Sequence, residues 1–436
     1  MRVVVVGLGK IGLPLAVQFA GSGAEVTGLD VSASVVDAVS SGVPPFPGEH
    51  DLDDRLRDVV EAGRLRATTD PSVAVPGADV VVVVVPLFVG VDGAPDFGWM
   101  DAATQAIGRH LTPDTLVAYE TTLPVGTTRD RWAPMLETCS GLRAGHDFEV
   151  VFSPERVLTG RVFADLRRYP KLIGALTPRG AGRARAFYES VLQFDDRPEL
   201  AHPNGVWDLG SAEAAELAKL AETTYRDVNI ALANEFAVFA ERAGIDVERV
   251  IAACNSQPYS HLHRPGIAVG GHCIPVYPRL YLWNDDRASV VRAARERNAS
   301  MPEHAVDLLE RIHGSLAGAR VLVLGAAYRG GVKETAFSGV FGTVAALAER
   351  GAVVTVSDPL YSAAELAGLG LEPHPAGASV DAAIVQADHR EYANWGPDRL
   401  PGVRSVVDGR RILDAERWST VTVAVIGAPV RPASTE

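Results

Sequence analysis

The first candidate for chemistry is Cys273, in the stretch GGHCIPVYP at residues 270–278. The residues around it are rich in Gly and Pro, which predicts a loop, and loops on α/β scaffolds often carry function. The backbone amides of Gly270 and Gly271 could stabilise a thiolate or an oxyanion. Cys139 and Cys254 are interpreted as small buried hydrophobic residues, the commoner role of an isolated cysteine. The spacing of the cysteines matches no zinc motif, and no metal site is predicted.

Lys219 and Thr223 form a second candidate pair. They are four residues apart in a segment with helical periodicity, so both lie on one side of the predicted helix. That side is not the apolar one, and a lysine there is usually a solvated surface charge. From the residues alone, a solvated and a functional Lys219 both remain open.

The helix is predicted over residues 211–242, which contain neither Gly nor Pro. Ser211 is a suitable N-cap, and Gly244 can end the helix. A rise of about 1.5 Å per residue gives roughly 48 Å, so the helix spans between domains, forms a dimer interface or is a long core helix. Apolar or small side chains recur at helical spacing, at positions 214, 217, 218, 221, 225, 228, 232, 236 and 239.

A glycine-rich turn near the N-terminus predicts a dinucleotide site. Gly7, Gly9 and Gly12 follow an apolar strand in G-x-G-x-x-G register and precede an apolar-periodic helix. Such a turn lets a pyrophosphate approach the backbone at the helix N-terminus. Asp30 ends the next predicted strand, where a carboxylate accepts from a ribose 2′-hydroxyl and repels a 2′-phosphate. NAD is therefore expected rather than NADP, although Asp30 could also be a simple strand-end turn residue.

The elements that position these residues alternate between strands and helices, which predicts parallel sheets. Short β-branched runs in the first half of the chain lie at 2–7, 24–30, 78–86, 115–124 and 148–154. The alternation starts again after about residue 316, with runs at 319–331, 352–359, 380–389 and 421–427. The predicted fold class is α/β, with two Rossmann-like parallel-sheet domains joined by a long central helix and helical segment. The expected domains are 1–202, 203–300 and 301–436.

Charge and composition exclude some classes of protein. The 436 residues carry 41 basic and 54 acidic side chains, a net charge of −13, so nucleic acid is not an expected partner. The apolar run 80–91 contains Pro86 and is too short to span a bilayer, so it is interpreted as a buried strand and no membrane partner is expected. With three sparse cysteines and no recognisable signal peptide, a reducing cytoplasm is the expected location.

Five motifs in order give the chain a resemblance to the UDP-glucose/GDP-mannose dehydrogenase family of nucleotide-sugar 6-dehydrogenases, over essentially its whole length. They are GLGKIGLPLA, ETTLPVGTT, FSPERVLTG, AEAAELAKLAETTYRDVNIALANE and HRPGIAVGGHCIPV. The PERV and RDVNIALANE segments resemble most the branch that acts on UDP-N-acetylhexosamines such as UDP-N-acetylmannosamine or UDP-N-acetylglucosamine. The resemblance implies oxidation of a sugar C6 alcohol to the acid by two NAD-dependent hydride transfers, in polysaccharide or glycoconjugate biosynthesis. The long apolar side of the helix at 211–242 predicts a homodimer or higher homo-oligomer.

The resemblance also implies roles for individual residues. Cys273 would be the nucleophile, and Lys219 would stabilise the oxyanion. Thr122 and Glu155 would hold the water that hydrolyses the thioester, and Thr223 would assist catalysis. The residues expected at the cofactor are Gly7, Gly9, Lys10, Ile11, Gly12, Asp30, Pro86, Thr122 and Lys333. Those expected at the UDP-sugar are Glu155, Arg156, Lys219, Arg264, Gly270, Tyr277 and Arg329.

Three positions depart from the family pattern. Thr223 replaces the usual Asn four residues after the lysine, and Tyr277 replaces the usual Asp four residues after the cysteine. The segment YRGGVKETAFSG, at residues 328–339, is shortened and lacks the usual Arg-Glu-Ser. A phenol with a pKa near ~10 is no substitute for a carboxylate base, so a single oxidation remains an alternative. Two further alternatives are an enzyme that acts on UDP-glucose and a noncatalytic protein that binds a nucleotide sugar.

Overall fold

The computed structural model describes residues 1–90 and 92–434. Val91, the last residue of the predicted apolar run, lies outside the described residues. The chain divides into two compact units, Met1–Glu222 and Thr223–Glu436. The three domains expected from the sequence remain a prediction.

The first unit is built on an eight-stranded sheet with the order β10-β9-β8-β7-β4-β1-β2-β3. A separate two-stranded hairpin is formed by β5 and β6. The strands are β1 Arg2–Val6, β2 Glu25–Leu29, β3 Leu65–Thr68, β4 Val80–Val83, β5 Phe88–Val89, β6 Pro95–Asp96, β7 Leu116–Tyr119, β8 Glu149–Phe152, β9 Lys171–Ala175 and β10 Val206–Asp208. The helices are α1 Gly12–Gly21, α2 Ala33–Ser40, α3 Leu52–Glu61, α4 Pro71–Ala74, α5 Gly98–Gly108, α6 Ala133–Ser140, α7 Val162–Arg168 and α8 Pro178–Val191.

The direction of the strands gives this sheet its functional edge. From β3 across to β8 all neighbours are parallel, and the strand order reverses between β1 and β4, as in dinucleotide-binding folds. The predicted parallel sheet is therefore confirmed in its central part. Strand β9 runs antiparallel to β8, with Phe152 opposite Gly174. The first residue of β9 consequently lies at the edge where the parallel strands end.

The core of this unit comes from strands buried on both sides. All four valines of β4 are buried, and β4 lies between β1 and β7. Continuous apolar strands of this kind are typical of parallel sheets covered by helices on both faces.

The second unit contains a five-stranded parallel sheet with the order β12-β11-β13-β14-β15. This is another doubly wound order, so the prediction of two Rossmann-like sheets is confirmed. The strands are β11 Arg320–Leu324, β12 Val353–Ser357, β13 Ala382–Val385, β14 Ser405–Asp408 and β15 Thr422–Val425. The helices are α10 Val247–Cys254, α11 Tyr277–Asn284, α12 Ser289–His313, α13 Val340–Glu349 and α14 Ala363–Gly368. Strand β14 was not predicted from the sequence.

The long helix, α9, spans Ala212–Ala243. Ser211 Oγ accepts from the Ala214 amide at 3.1 Å, and Gly244 follows the helix with φ +69°, so both predicted ends are confirmed. The apolar side of the helix is largely exposed in the single chain, where Phe239 is 59% accessible. The other exposed apolar residues on α9 are Leu217, Tyr225, Leu232 and Phe236.

Lys219 is buried, with 8% of its surface accessible. The interpretation of Lys219 as a solvated surface charge is therefore wrong. In the described part of the chain, no helix is both long enough and apolar enough to span a membrane.

Candidate functional site

The glycine turn of the first unit lies at the carboxyl end of β1, where the strand order reverses. Gly7 has φ +92°, and a Cβ on Gly12 would lie 1.9 Å from the Gly7 carbonyl oxygen, so both positions require glycine. A Cβ on Gly9 would have no neighbour within 4 Å, which leaves its backbone open to a ligand. Helix α1 begins at Gly12, so its N-terminus, where the peptide dipoles favour a phosphate group, directly follows the glycine turn.

Asp30 follows β2 at the same edge of the sheet. Its Oδ2 accepts from the Leu8 amide at 2.8 Å, and its Oδ1 accepts from the Ser32 amide at 2.9 Å. These bonds fix the carboxylate beside the glycine turn, where a ribose hydroxyl is expected. The open backbone at Gly9 and the fixed carboxylate fit NAD, which would be held by the 7–12 turn and by Asp30. Pro86, three residues after β4, and the exposed Lys10 lie in loops at the same edge.

The loop after β7 carries Thr122, which is buried. Glu216 of α9 fixes the later part of this loop. Its carboxylate accepts from the amides of Gly126 and Thr128 at 2.6 and 2.9 Å, and from Thr128 Oγ1 at 2.6 Å. Burial raises the pKa of Glu216 to about 7, against the opposing effect of these donors.

Glu155 follows β8 and belongs to a buried ionic cluster. Lys171 Nζ donates to Glu155 Oε2 and to Glu120 Oε2, both at 2.8 Å. Tyr188 Oη donates to the other oxygen of Glu120 at 2.6 Å. The Arg156 amide donates to Glu155 Oε1 at 2.7 Å. The structure thus brings Glu155 into a cluster with Lys171, Glu120 and Tyr188, none of which was predicted as a site residue.

The direction of β9 explains why Lys171 was missed. Lys171 is the first residue of its strand, and only the antiparallel direction of β9 brings it to the edge where β7 and β8 end. Glu120 directly follows the buried strand β7, and a charged residue there is a signal that sequence analysis could have used.

Arg156 is adjacent to this cluster but forms its ion pair elsewhere. Its Nε donates to Glu222 Oε2 at 3.0 Å, and its guanidinium lies 6.0 Å from the centre of the Tyr169 ring. Its predicted contact with the substrate remains a prediction.

In the second unit, Cys273 is exposed, whereas Cys139 and Cys254 are partly buried. A Cβ on Gly270 would lie 2.5 Å from Tyr328 Cβ, so this loop packs closely on the segment after β11. The Gly271 amide donates to the Ala336 carbonyl at 2.9 Å. That bond occupies the amide, so the prediction that Gly271 could stabilise a thiolate or an oxyanion is wrong.

Tyr277 begins helix α11, and its amide donates to the Cys273 carbonyl at 3.0 Å. Cys273 therefore lies one turn before the N-terminus of α11. The structure brings Gly270 and Cys273 together in one loop, and Tyr277 follows that loop as the first residue of α11.

The basic residues that were predicted as site residues in the second unit differ in their exposure and in their ion pairs. Arg264 is 81% accessible and pairs with Glu248 at 2.9 Å. Lys333 pairs with Glu365 at 2.5 Å, and Arg329 is exposed in the loop after β11. Thr223 on α9 is buried. The assigned roles of these four residues remain predictions.

A buried pair, Asp358 and His389, shapes the loop carrying Arg329 and was not predicted from the sequence. Asp358 Oδ2 accepts from the Ala326 and Ala327 amides at 2.8 and 3.0 Å, and His389 Nε2 lies 3.1 Å from the same oxygen. The Gly331 amide donates to His389 Nδ1 at 3.3 Å. His389 therefore links the loop at Gly331 to Asp358. An aspartate at the end of a strand, as at Asp30, was the available signal.

Known protein families and relatives match this protein along most of its chain. Models of the UDP-glucose/GDP-mannose dehydrogenase family match residues 1–192 (NAD binding domain), 213–300 (central domain) and 322–415 (UDP binding domain). A UDP-N-acetyl-D-mannosamine dehydrogenase of Pyrococcus horikoshii is 36% identical over 421 residues, covering 95% of this chain and 96% of the relative. An NDP-N-acetyl-D-galactosaminuronic acid dehydrogenase of Ralstonia solanacearum is 32% identical over 424 residues, covering 95% and 96%.

Two solved structures resemble the whole chain. The UDP-D-ManNAc dehydrogenase of Pyrococcus horikoshii has a TM-score of 0.87 at 33% identity, covering 98% of this chain and 99% of that one. A UDP-glucose dehydrogenase of Pyrobaculum islandicum has a TM-score of 0.83 at 27% identity, covering 97% and 96%.

The family models over both Rossmann-like sheets, together with the relatives, identify this protein as an NAD-dependent nucleotide-sugar dehydrogenase with an NAD-binding and a UDP-binding domain. The chain belongs to the UDP-glucose/GDP-mannose dehydrogenase family. The family resemblance, the enzyme class and the NAD cofactor predicted from the sequence are thereby confirmed.

Proposed function

We propose that this enzyme oxidises the C6 alcohol of a UDP-N-acetylhexosamine to the corresponding acid, in two oxidations, through a thioester on Cys273. The observation that carries the proposal is the exposed Cys273 in its loop before α11, in a chain 36% identical to a UDP-N-acetyl-D-mannosamine dehydrogenase. Bound NAD would supply a hydride acceptor for each oxidation.

Cys273 explains how one protein can oxidise an alcohol twice. The first oxidation gives a C6 aldehyde, and the Cys273 thiolate adds to its carbonyl carbon to form a tetrahedral thiohemiacetal. This adduct carries a hydride that can leave, and its loss gives a thioester. Water then attacks the thioester carbonyl, and the acid and the free thiol are released.

The other proposed roles concern charge and protons. The Lys219 ammonium stabilises the oxyanion that forms in the tetrahedral states. Glu155 accepts the proton of the attacking water, and Thr122 holds that water. Gly7, Gly9, Gly12 and Asp30 hold the cofactor. Tyr277, with its phenol, does not act as a base, so we propose slow turnover with an unchanged product.

We also propose that the enzyme is a homodimer, joined through the exposed apolar side of α9. Large apolar patches left exposed on one chain are typical of association surfaces. This side of the helix includes Leu232, Phe236 and Phe239, all at least 40% accessible.

A panel of nucleotide sugars tests the proposed function. UDP-N-acetylmannosamine, UDP-N-acetylglucosamine, UDP-N-acetylgalactosamine and UDP-glucose are each supplied with NAD, and NADH formation and product mass are measured. We expect an acid product and two NADH per sugar with a UDP-N-acetylhexosamine. A preference for UDP-glucose would support the second candidate substrate, which the structural similarity to a UDP-glucose dehydrogenase favours. No product from any sugar would support a noncatalytic binding protein.

A further inference from the structure

The cluster around Lys171 contains more charge than the proposed mechanism uses. Lys171, Glu120 and Tyr188 are buried, and Glu155 is nearly so. One ammonium lies between two carboxylates, at 2.8 Å from each. With both carboxylates ionised the buried cluster would carry a net charge of −1, and burial strongly disfavours an uncompensated charge. The arrangement therefore favours one additional proton.

The contacts decide which carboxyl group holds that proton. Glu155 receives a second donor, the Arg156 amide, and retains a small accessible surface. Burial opposes ionisation of Glu155, but Lys171 and this amide together hold its pKa below the ordinary value.

Glu120 has the opposite balance. Its side chain is fully buried, and burial raises the pKa of Glu120 above its ordinary value despite the nearby Lys171 ammonium; the adjacent Glu155 charge raises it further. Burial would lower the pKa of Lys171, but its two carboxylate partners raise it, so the ammonium stays charged. The charged groups facing Glu120 are Lys171 from β9 and Glu155 from the end of β8, with the Tyr188 phenol from α8.

We propose that Lys171 is a positioning residue that fixes Glu155 as the ionised base, and that Glu120 is the buried carboxyl group that holds the additional proton of the cluster. The inference rests on the proposed function in one respect only, the role of Glu155 in hydrolysis of the thioester.

Glu120 already holds the additional proton, so the proton of the attacking water stays on Glu155. As the water oxygen bonds to the thioester carbonyl carbon, its O–H bond breaks and the proton goes to Glu155. The C–S bond then breaks, and its electron pair returns to Cys273 as the thiolate. Glu155 retains a small accessible surface, through which it gives its proton to solvent and is ionised again beside Lys171.

Infrared titration tests the position of the proton without any substrate. Difference spectra between the wild type and Glu120→Gln isolate the signal of one carboxyl group. We expect a protonated-carboxyl band that persists well above the ordinary pKa of 4.5 and is absent from Glu120→Gln. Glu149→Gln is the matched control, because Glu149 is also buried, and its carboxylate pairs with Arg179. Loss of that band in Glu155→Gln instead, or no such band in the wild type, would overturn the inference.

Kinetics test the positioning role of Lys171. We expect Lys171→Met to lower kcat roughly 10²-fold with little change in the sugar KM, because general-base help is worth about 10²–10⁴. The acidic limb of the pH profile of kcat should move to higher pH, since Glu155 loses the neighbouring ammonium. Lys171→Arg should restore most of kcat and most of the original position of this limb. A thermal melt shows whether Lys171→Met folds. If it does not fold, the pH profile of Lys171→Arg tests the positioning role. A uniform loss of activity at every pH in both variants would contradict the positioning role.

The two experiments separate this inference from the proposed function. If the wild type forms no acid from any nucleotide sugar, the proposed function fails while the infrared band is still measured. If acid forms normally and the band does not depend on Glu120, the inference fails alone.

Discussion

The backbone amide of Tyr277 donates to the carbonyl oxygen of Cys273 at 3.0 Å. This bond closes a single turn between the proposed nucleophile and the first residue of α11. The residue at position 277 is therefore held close to Cys273 in sequence and space, whatever its side chain. Tyr277, which departs from the family pattern, therefore lies one turn from the proposed nucleophile.

Replacement of Cys273 should separate the two oxidations. We expect Cys273→Ala to abolish acid formation, because the Cys273 thiolate is the proposed nucleophile that converts the aldehyde into a hydride-bearing adduct. NADH per sugar and the product mass measure the effect. Cys254→Ser is the matched control and should keep both oxidations. Normal acid formation by Cys273→Ala would refute the thioester.

Tyr277→Asp should preserve or raise kcat. An acidic residue is favourable in the first turn of a helix, so α11 should tolerate the change. A carboxylate could also restore general-base help of up to about 10². Tyr277→Phe should match the wild type, with two NADH per sugar in both. One NADH and a released aldehyde from the wild type would show a site that completes a single oxidation.

Asp30 should make the enzyme prefer NAD over NADP by roughly 10²-fold in kcat/KM, because two negative charges a few ångströms apart repel by a few kcal/mol at most. Asp30→Ala should narrow the preference, measured with both cofactors. Because Asp30 also accepts from the Leu8 and Ser32 amides, Asp30→Asn is the variant that keeps an acceptor there. Equal efficiency of the wild type with both cofactors would count against this role.

Glu216 should make stability depend on pH near neutrality. Its folded-state pKa of about 7 exceeds the ordinary 4.5, so the folded protein binds more protons than the unfolded chain between these values. Stability from this group is therefore complete below about pH 4.5 and is lost as pH rises towards 7, by up to about 3 kcal/mol. Relative to Glu216→Gln, the wild type should gain melting temperature between pH 8 and pH 5.

Glu213→Gln is the control for that titration. A hydrogen bond from Arg129 lowers the pKa of Glu213, so its own contribution is lost only at more acidic pH. The difference between wild type and Glu213→Gln should stay nearly constant from about pH 8 to pH 5. A constant difference for Glu216→Gln as well would contradict the raised pKa.

Phe239→Glu should shift the protein from dimer to monomer if α9 joins two copies, since a charge would be buried among apolar side chains. Sedimentation or light scattering gives the mass. Val31→Glu is a suitable control, because Val31 is fully exposed outside α9. A monomeric wild type at working concentration would contradict the proposed dimer.

Local rules predicted the cofactor turn well. The need for glycine at position 12 follows from the close packing of a helix on a strand. The position of Asp30 at the sheet edge follows from the length of the predicted second strand. The apolar side of α9 was also predictable from its period. What failed depended on distant packing: the burial of Lys219, and the Gly271 amide, whose acceptor Ala336 belongs to the segment after β11.

The ionic cluster shows a second reason for failure. Lys171 and Glu155 are 16 residues apart, and only the reversed direction of β9 brings them into contact. No spacing rule contains that information, because strand direction is decided by the sheet as a whole. Glu120 could have been predicted from its position after β7, but its contact with Lys171 could not.

The contact between Gly271 and Ala336 has a consequence for protein engineering. The shortened segment 328–339 forms part of the support for the Cys273 loop, through this bond and through the close packing of Gly270 on Tyr328. Chimeras that exchange this segment for a longer one from another family member would therefore disturb the Cys273 loop as well as Arg329, whose contact with the UDP-sugar is a prediction. Substrate range and cysteine reactivity should be inherited together when such segments are transplanted, and a transplant should carry residues 266–277 with it.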